Sequence, residues 1–335
     1  MHGQLNKLPI TSIPTDLYEG VGLIGEGMSI ANELELVDIP QYLFPSVTIL
    51  ISTILGGKIS CSDVHPSCLF IKVGRPGSWK SEVDHGFMDL VKPKFDISQK
   101  PNPIYGTTDL ASYKSLPTAV KKRPHGLILF DEISSVDLNK SKQLKALWDM
   151  SEKADNTLGK KQYTINFMGN TQPVLLKENL LKYPQGFDFW CYDDNGAFPR
   201  ASFIHDITAP SQNKVFSKSW LNKLVALYGV KKPPGSYDTT IDSATDIGMD
   251  NEVMLFMMDY TKALNNVVNE ESDDNLRRII SRREASAIKF ALVHVGATRN
   301  PEDIFKPIAL ADIEWGAKIA DIQSAWKLNV FKTVS

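Results

Sequence analysis

The sequence holds only three cysteines, Cys61, Cys68 and Cys191, and none stands in a CxxC spacing. An odd set without paired spacing indicates neither a cysteine-built zinc site nor a disulfide framework, and it suits a reduced compartment. Long apolar runs are scarce as well. The most apolar early stretch, Leu43 to Leu55, covers about thirteen residues before Gly56-Gly57, too short to span a bilayer. No signal peptide is read at the start, and no repeat or low-complexity segment along the chain, so the expected setting is cytoplasmic and without membrane contact. Charge of one sign is also lacking: 37 Lys+Arg stand against 39 Asp+Glu, for a net charge of −2 and a pI near 6.3. Nucleic-acid contact, if made, must therefore use local patches. The remaining material, 335 residues of which 42% are hydrophobic, suffices for one large domain or two moderate ones.

Against this plain background one stretch stands out. Leu69-Phe70-Ile71-Lys72-Val73 breaks at Gly74-Arg75-Pro76-Gly77-Ser78-Trp79-Lys80-Ser81 and re-enters an apolar-periodic segment through Val83, Phe87 and Leu90. The pattern predicts a strand, a phosphate-binding loop and a helix. Gly74 and Gly77 would let backbone N–H groups turn toward phosphate oxygens, with Ser78 and Trp79 completing the cradle. Lys80 would reach the β- and γ-phosphates, Ser81 would ligate Mg²⁺, and the helix would point its positive end at the anion. Trp79 departs from the pattern, which wants a third flexible residue before the lysine. A side chain is tolerable there only if the backbone stays in a helical region and the indole points away from the phosphates. The bland counterpart is a Gly/Pro turn before an ordinary helix with an exposed lysine.

A second run weighs against the bland reading. About fifty residues on, His125-Gly126-Leu127-Ile128-Leu129-Phe130 reads as a buried strand ending in Asp131-Glu132. If the two strands are neighbours in a parallel sheet, both tips emerge at its carboxyl edge, where ligands of open α/β sheets sit. Asp131 would then hold the Mg²⁺ shell and Glu132 would deprotonate the attacking water.

Along the chain, residues 1–27 read as an irregular arm because of their prolines and glycines. Helical spacing is seen from Met28 to Val37 and from Pro45 to Leu55. Ile104-Tyr105 would form a short second strand, and Tyr163 to Met168 another core strand that ends in Gly169-Asn170-Thr171-Gln172-Pro173. An amide there would bond a γ-phosphate or its attacking water, unless it serves only turn chemistry. Phe198-Pro199-Arg200 precedes an expected last strand, Ala201 to Ile207. The remainder reads as helices over Asn251–Val268, Asn275–Val295 and Leu310–Leu328. The shift from strand/helix alternation to helix alone places a boundary near residue 210. The expected division is 1–60 for arm and helical lead-in, 61–210 for the core, and 211–335 for a helical C-terminal domain.

In this order the parts resemble a AAA+ ATPase, and more narrowly the P-loop ATPase domains of phage, plasmid and mobile-element replication proteins, relatives of MCM-type and superfamily 3-type motors. The similarity runs from about Pro40 to Leu328, and that family often lacks the third loop glycine. The resemblance implies a three-layer α/β core with a parallel five-stranded sheet in an order like 5-1-4-3-2, followed by a helical lid or winged-helix-like end. It implies ATP and Mg²⁺ as cofactors. Lys80 and Ser81 match the Walker A pair, and Asp131 and Glu132 the Walker B pair. Asn170 matches the sensor-1 amide, with Gln172 as rival. Arg200 is similar to an arginine finger that reaches a neighbouring subunit. Arg282 resembles a sensor-2 arginine, with Arg283 as its alternate. Lys160 and Lys161 lie where related motors place a pore-facing hairpin. The implied protein is an ATP-hydrolysing ring, a hexamer by preference, moving on single-stranded DNA as a helicase or initiator motor. A nucleotide-dependent scaffold or loader with little turnover is the alternative.

Overall fold

The computed structural model describes residues 10–96, 104–105, 125–130, 132–133, 164–173, 187–192, 215–231 and 244–334. The sheet that positions everything else contains β2 (Leu69–Val73), β3 (Ile104–Tyr105), β4 (His125–Phe130), β5 (Thr164–Thr171) and β6 (Asp188–Cys191), in the spatial order β3-β4-β5-β2-β6. Every neighbouring pair is parallel. Strands β2 and β5 are buried along their whole length, as expected where helices cover both faces. The body of the sheet is four strands, because β3 adds only a two-residue ladder at one edge. The expected count of five is reached only with this strand, the short one anticipated at Ile104-Tyr105. The edge beside β2 is β6, an aromatic run with Phe189 and Trp190 buried. The stretch 201–207, read as the last strand, lies outside the described residues, and so do Lys160, Lys161, Asp131 and Arg200.

The outer edge of β6 is not left open. Thr11 N–H donates to the Cys191 carbonyl, and Cys191 N–H donates back to Thr11 Oγ1, each at 3.0 Å. The arm thereby satisfies a row of polar groups that would otherwise invite pairing with another chain. It is also more regular than its composition suggests: a 3-10 turn at Thr15–Leu17 leads into α1 (Gly22–Ser29). The helix expected over Met28–Val37 is therefore displaced toward the N-terminus. Gly22, Gly25 and Gly27 serve close contact rather than irregularity; a methyl group on Gly22 would overlap the carbonyl of Ala297.

Helix α2 (Pro40–Leu55) starts five residues earlier than the apolar spacing indicates, with Pro40 at its first position and Pro45 inside. From Tyr42 to Leu55 it is wholly buried. Its start meets the loop after β2, because Tyr42 reaches Ser78, and the glycines after its end meet His125 and Thr164, the first residues of β4 and β5. A short parallel pair joins β1 (Ile59–Ser60) to β7 (Thr245–Asp246).

The later helices are α4 (Val215–Gly229), α5 (Asn251–Glu270), α6 (Asp274–Ser281), α7 (Arg283–Thr298) and α8 (Leu310–Val334), following α3 (Lys80–Asp96). The expected single helix over 275–295 is broken at Arg282, where α6 ends and α7 begins. Asp250 and Asp273 cap α5 and α6 by accepting backbone N–H bonds. Asp312, near the start of α8, accepts from His294 of α7 at 2.7 Å, from Ala309 N–H at 2.9 Å and from Arg299. Burial alone would raise its carboxyl, but those hydrogen bonds and the Arg299 charge outweigh it and hold the group below the usual carboxylate range.

These helices share one core with the sheet. Phe290 of α7 stacks on Phe70 of β2 at 6.2 Å, Trp190 of β6 meets Phe70 edge-on at 5.5 Å, and Phe44 of α2 lies between Trp190 and Trp315. Each such ring contributes about 1.5–3 kcal/mol by burial, so separating the layers would cost many of these contacts at once. The composition shift near residue 210 does not coincide with a break in the core. Among the described residues, no helix is long and apolar enough to cross a membrane.

Candidate functional site

Three neighbouring strands bring their carboxyl ends to one place. In β2 and β5, Lys72 pairs with Asn170 and Val73 with Thr171; in β4 and β5, Phe130 pairs with Gly169. The segments gathered there are therefore the loop from Gly74, the chain at Glu132, and the end of β5 itself, because Gly169, Asn170 and Thr171, expected to follow the strand, continue it. After β4 the chain turns over β5, where Ile133 is buried against Gly169; a side chain at 169 would sit 2.9 Å from the Ile133 methyl. That contact brings Glu132 to the loop side.

The loop leaves β2 at Gly74 because nothing larger fits. A methyl group there would overlap the Tyr42 hydroxyl and stand 2.7 Å from Ser78 Oγ. Gly77 turns at φ +75°, and Ser78 N–H closes a turn on the Arg75 carbonyl. Trp79 takes φ +63°, so the helical region it occupies is the left-handed one. For a residue with a Cβ this costs roughly 1–2 kcal/mol, which the surrounding contacts must offset. The backbone thus follows the path a glycine would take at that position.

Helix α3 then begins at Lys80, and the lysine folds back over the loop. Its Nζ donates to the carbonyls of Gly74 and Arg75, both at 2.9 Å, and to Ser78 Oγ at 3.2 Å. All three ammonium donors are thus engaged by the loop itself. Ser78 Oγ in turn lies 3.0 Å from the Tyr42 hydroxyl. An incoming phosphate would have to exchange its oxygens for those carbonyls around the same ammonium. Burial pushes the Lys80 amine down to about 8; the nearby Glu132 carboxylate resists, and the Lys72 charge reinforces the drop.

The consequence is a shifted pH window. An ordinary lysine keeps its charge to about pH 10.4, whereas here the free protein loses the Lys80 charge through pH 8. Affinity for an inorganic phosphate or nucleotide probe should therefore fall between pH 8 and 10, by up to about tenfold per unit. The folded state itself gains stability over that window, because the unfolded chain still binds the proton. Titration calorimetry across the range would check the first part, and a flat profile to pH 10 would remove Lys80 from the binding site.

Beneath the loop lies a polar network that the sequence reading overlooked. Lys72, the fourth residue of β2, has its side chain fully buried, and its Nζ meets Asp84 Oδ1 of α3 and Ser46 Oγ of α2, each at 2.6 Å. Burial draws the Lys72 amine below its ordinary value, while the charge of Asp84 and its hydrogen bond resist. The second Asp84 oxygen, Oδ2, accepts from Asn170 Nδ2 at 3.1 Å, and the same NH₂ lies 3.5 Å from Ser81 Oγ. One available signal was the lysine itself, a charge in an otherwise apolar five-residue strand. Another was Asp84, four residues beyond Lys80 and so on the same helix face.

Of the anticipated residues, Gly74, Gly77, Ser78, Trp79, Lys80, Ser81, Glu132 and Asn170 come together at this edge. Asn170, not Gln172, is the amide tied to Ser81 and Asp84. Arg282 goes elsewhere. Its charge acts on Lys289, which sits with Cys68 and Asp188 before β2 and at the start of β6, the far end of the strands from the loop. Its alternate, Arg283, is paired with Asp321 of α8 at 3.4 Å. Neither arginine has a described contact with the loop. Among the described residues no cluster of three His, Cys, Asp or Glu side chains forms a metal site, although Asp131 lies outside them.

A cavity of about 400 Å³ is lined by Tyr18, Glu19, Met28, Asn32, Asp38 and Pro40 among others, with no residue of the loop. Its two carboxylates make it unsuitable for phosphate, and it holds none of the strand-end residues. The loop edge, with its clustered polar groups, is the better candidate. No family model matches the sequence, and no curated protein matches it.

Proposed function

We propose that the chain is a Mg-ATP-hydrolysing motor with a AAA+ P-loop core. The observation that carries this reading is the strand–loop–helix with Lys80 at its centre, set beside Glu132 and Asn170 at the ends of two neighbouring parallel strands. Lys80 would neutralise the β- and γ-phosphates, and Glu132 would take the proton of the attacking water. Hard oxygen donors suit Mg²⁺, and Ser81 together with Asp131 would hold it. When bound, the ion offsets charge on the phosphate oxygens. Ring assembly, hexameric by preference, and a trans role for Arg200 belong to the same reading. So does action on single-stranded DNA as a helicase or initiator of a mobile element, through Lys160 and Lys161. These rest on the order of the sequence motifs.

The closed loop gives the scaffold or loader alternative a specific footing. Lys80 must surrender three hydrogen bonds before it meets a phosphate, which favours nucleotide used as an assembly signal over rapid turnover. Binding and hydrolysis of Mg-ATP, measured with and without single-stranded DNA, separate the two. Lys80→Ala should weaken ATP binding by about ten- to a hundredfold, the value of a charge-assisted hydrogen-bonding group. Equal ATP affinity in Lys80→Ala, or no ATP binding by the wild type, would defeat the P-loop reading; binding without turnover would leave the scaffold.

A further inference from the structure

The network under the loop has one unfinished end. Asn170 is 3% exposed, and its oxygen Oδ1 is buried without a hydrogen-bond partner. Its nitrogen, by contrast, is committed to Asp84 Oδ2. Chemistry settles which way the amide faces: a carboxylate oxygen accepts only, so the group 3.1 Å from it must be NH₂. Asp84 cannot turn away, because its other oxygen is held by Lys72 at 2.6 Å and lies 2.9 Å from Ser46 Oγ. Lys72 cannot turn away either, being fully buried in β2 and bonded also to Ser46.

We propose that Lys72 and Asp84 are positioning residues that lock the polarity of the Asn170 amide, so that its oxygen, not its NH₂, is the group offered to the ligand. This deepens the ATPase reading and rests on it. An unsatisfied buried acceptor is costly unless a donor arrives, and the donor fitted to it is a water molecule carried in with the nucleotide. An NH₂ facing outward would bond a phosphate oxygen instead. The locked amide therefore assigns Asn170 to holding the attacking water by accepting one of its hydrogens, while Glu132 takes the other. Proximity of Ser81 Oγ to the same amide ties the position to the start of α3, so the water and the loop helix share one frame.

Exchange of the two side chains tests this. In Asp84→Asn with Asn170→Asp the donor and acceptor trade places across the contact, and residue 170 still presents an acceptor. Asn170→Asp alone sets two carboxylates against each other, and its kcat should fall by about 10²-fold with KM changed less than about threefold, the signature of lost orientation. The double exchange should recover turnover to within about tenfold of wild type. A double variant as slow as Asn170→Asp alone, or a wild-type kcat in Asn170→Asp, overturns the proposal. Hydrogen exchange of the Asn170 side-chain NH₂, followed by NMR with selectively labelled asparagine, needs no turnover and no altered fold. Slow exchange in the wild type, lost in Asp84→Asn, supports the lock, and rapid exchange in the wild type refutes it. Absence of ATPase activity with a protected NH₂ would count against the motor reading and leave the lock standing.

Discussion

Glu132→Gln should leave Mg-ATP binding within about threefold of wild type and slow turnover by about 10²–10⁴-fold. Glutamine keeps the size of the side chain and one acceptor oxygen but can take no proton. Glu132 follows β4 where the chain crosses above Gly169, and its charge is felt at Lys80, so it belongs to the loop edge. A second effect separates this role from simple misfolding. Glu132 is the group that resists the drop in the Lys80 amine, so without it that amine should fall further below about 8. The pH at which nucleotide affinity starts to decline should then move down. Phosphate release measured beside equilibrium binding at several pH values reads both effects. Undiminished turnover would take Glu132 out of the mechanism, and an unmoved pH profile would place its carboxylate too far from the lysine to matter.

Lys72→Met should destabilise the fold by about 3–5 kcal/mol, the scale found when one partner of a buried ion pair is removed. The Asp84 carboxylate would remain buried with only Ser46 and Asn170 as neutral partners. Removing both charges, in Lys72→Met with Asp84→Leu, should cost less than Lys72→Met alone, because no charge is left orphaned. Denaturant midpoints for the two single variants and the double variant give the coupling directly. A Lys72→Met protein within about 1 kcal/mol of wild type would show that the pair does not hold the base of the loop.

How far the sequence could be read depended on what each signal encodes. Strands β2 and β4 were legible because buried parallel strands appear as near-continuous apolar runs, β5 because Ile165, Phe167 and Met168 stand out among its polar residues, and the loop because Gly74 and Gly77 have few substitutes. Register then followed from one observation the sequence does not contain, which strands are adjacent. Lys72 is hard to read for the same reason: inside an apolar run its charge has meaning only with Asp84 and Ser46, which come from two helices. The arm is more regular than its glycines suggest, because glycine marks close approach as well as irregularity. Gly22 is instead a point of close approach to a segment far along the chain, the carbonyl of Ala297. The sensor-2 expectation for Arg282 rests on family likeness and helical spacing alone, whereas its charge acts on Lys289. Trp79 shows that a residue type can be out of pattern while the backbone keeps to it.

The stacking of Phe290 on Phe70, with Trp315 and Phe44 beyond, bears on where mechanical work would be done. A lid that closes over nucleotide needs a seam along which it can slide, and here the seam is filled by interlocked aromatic rings. The C-terminal helices would therefore ride with the sheet as one rigid block. In the proposed ring, a stroke driven by ATP would then be delivered at the joints between neighbouring chains, with each block tilting whole.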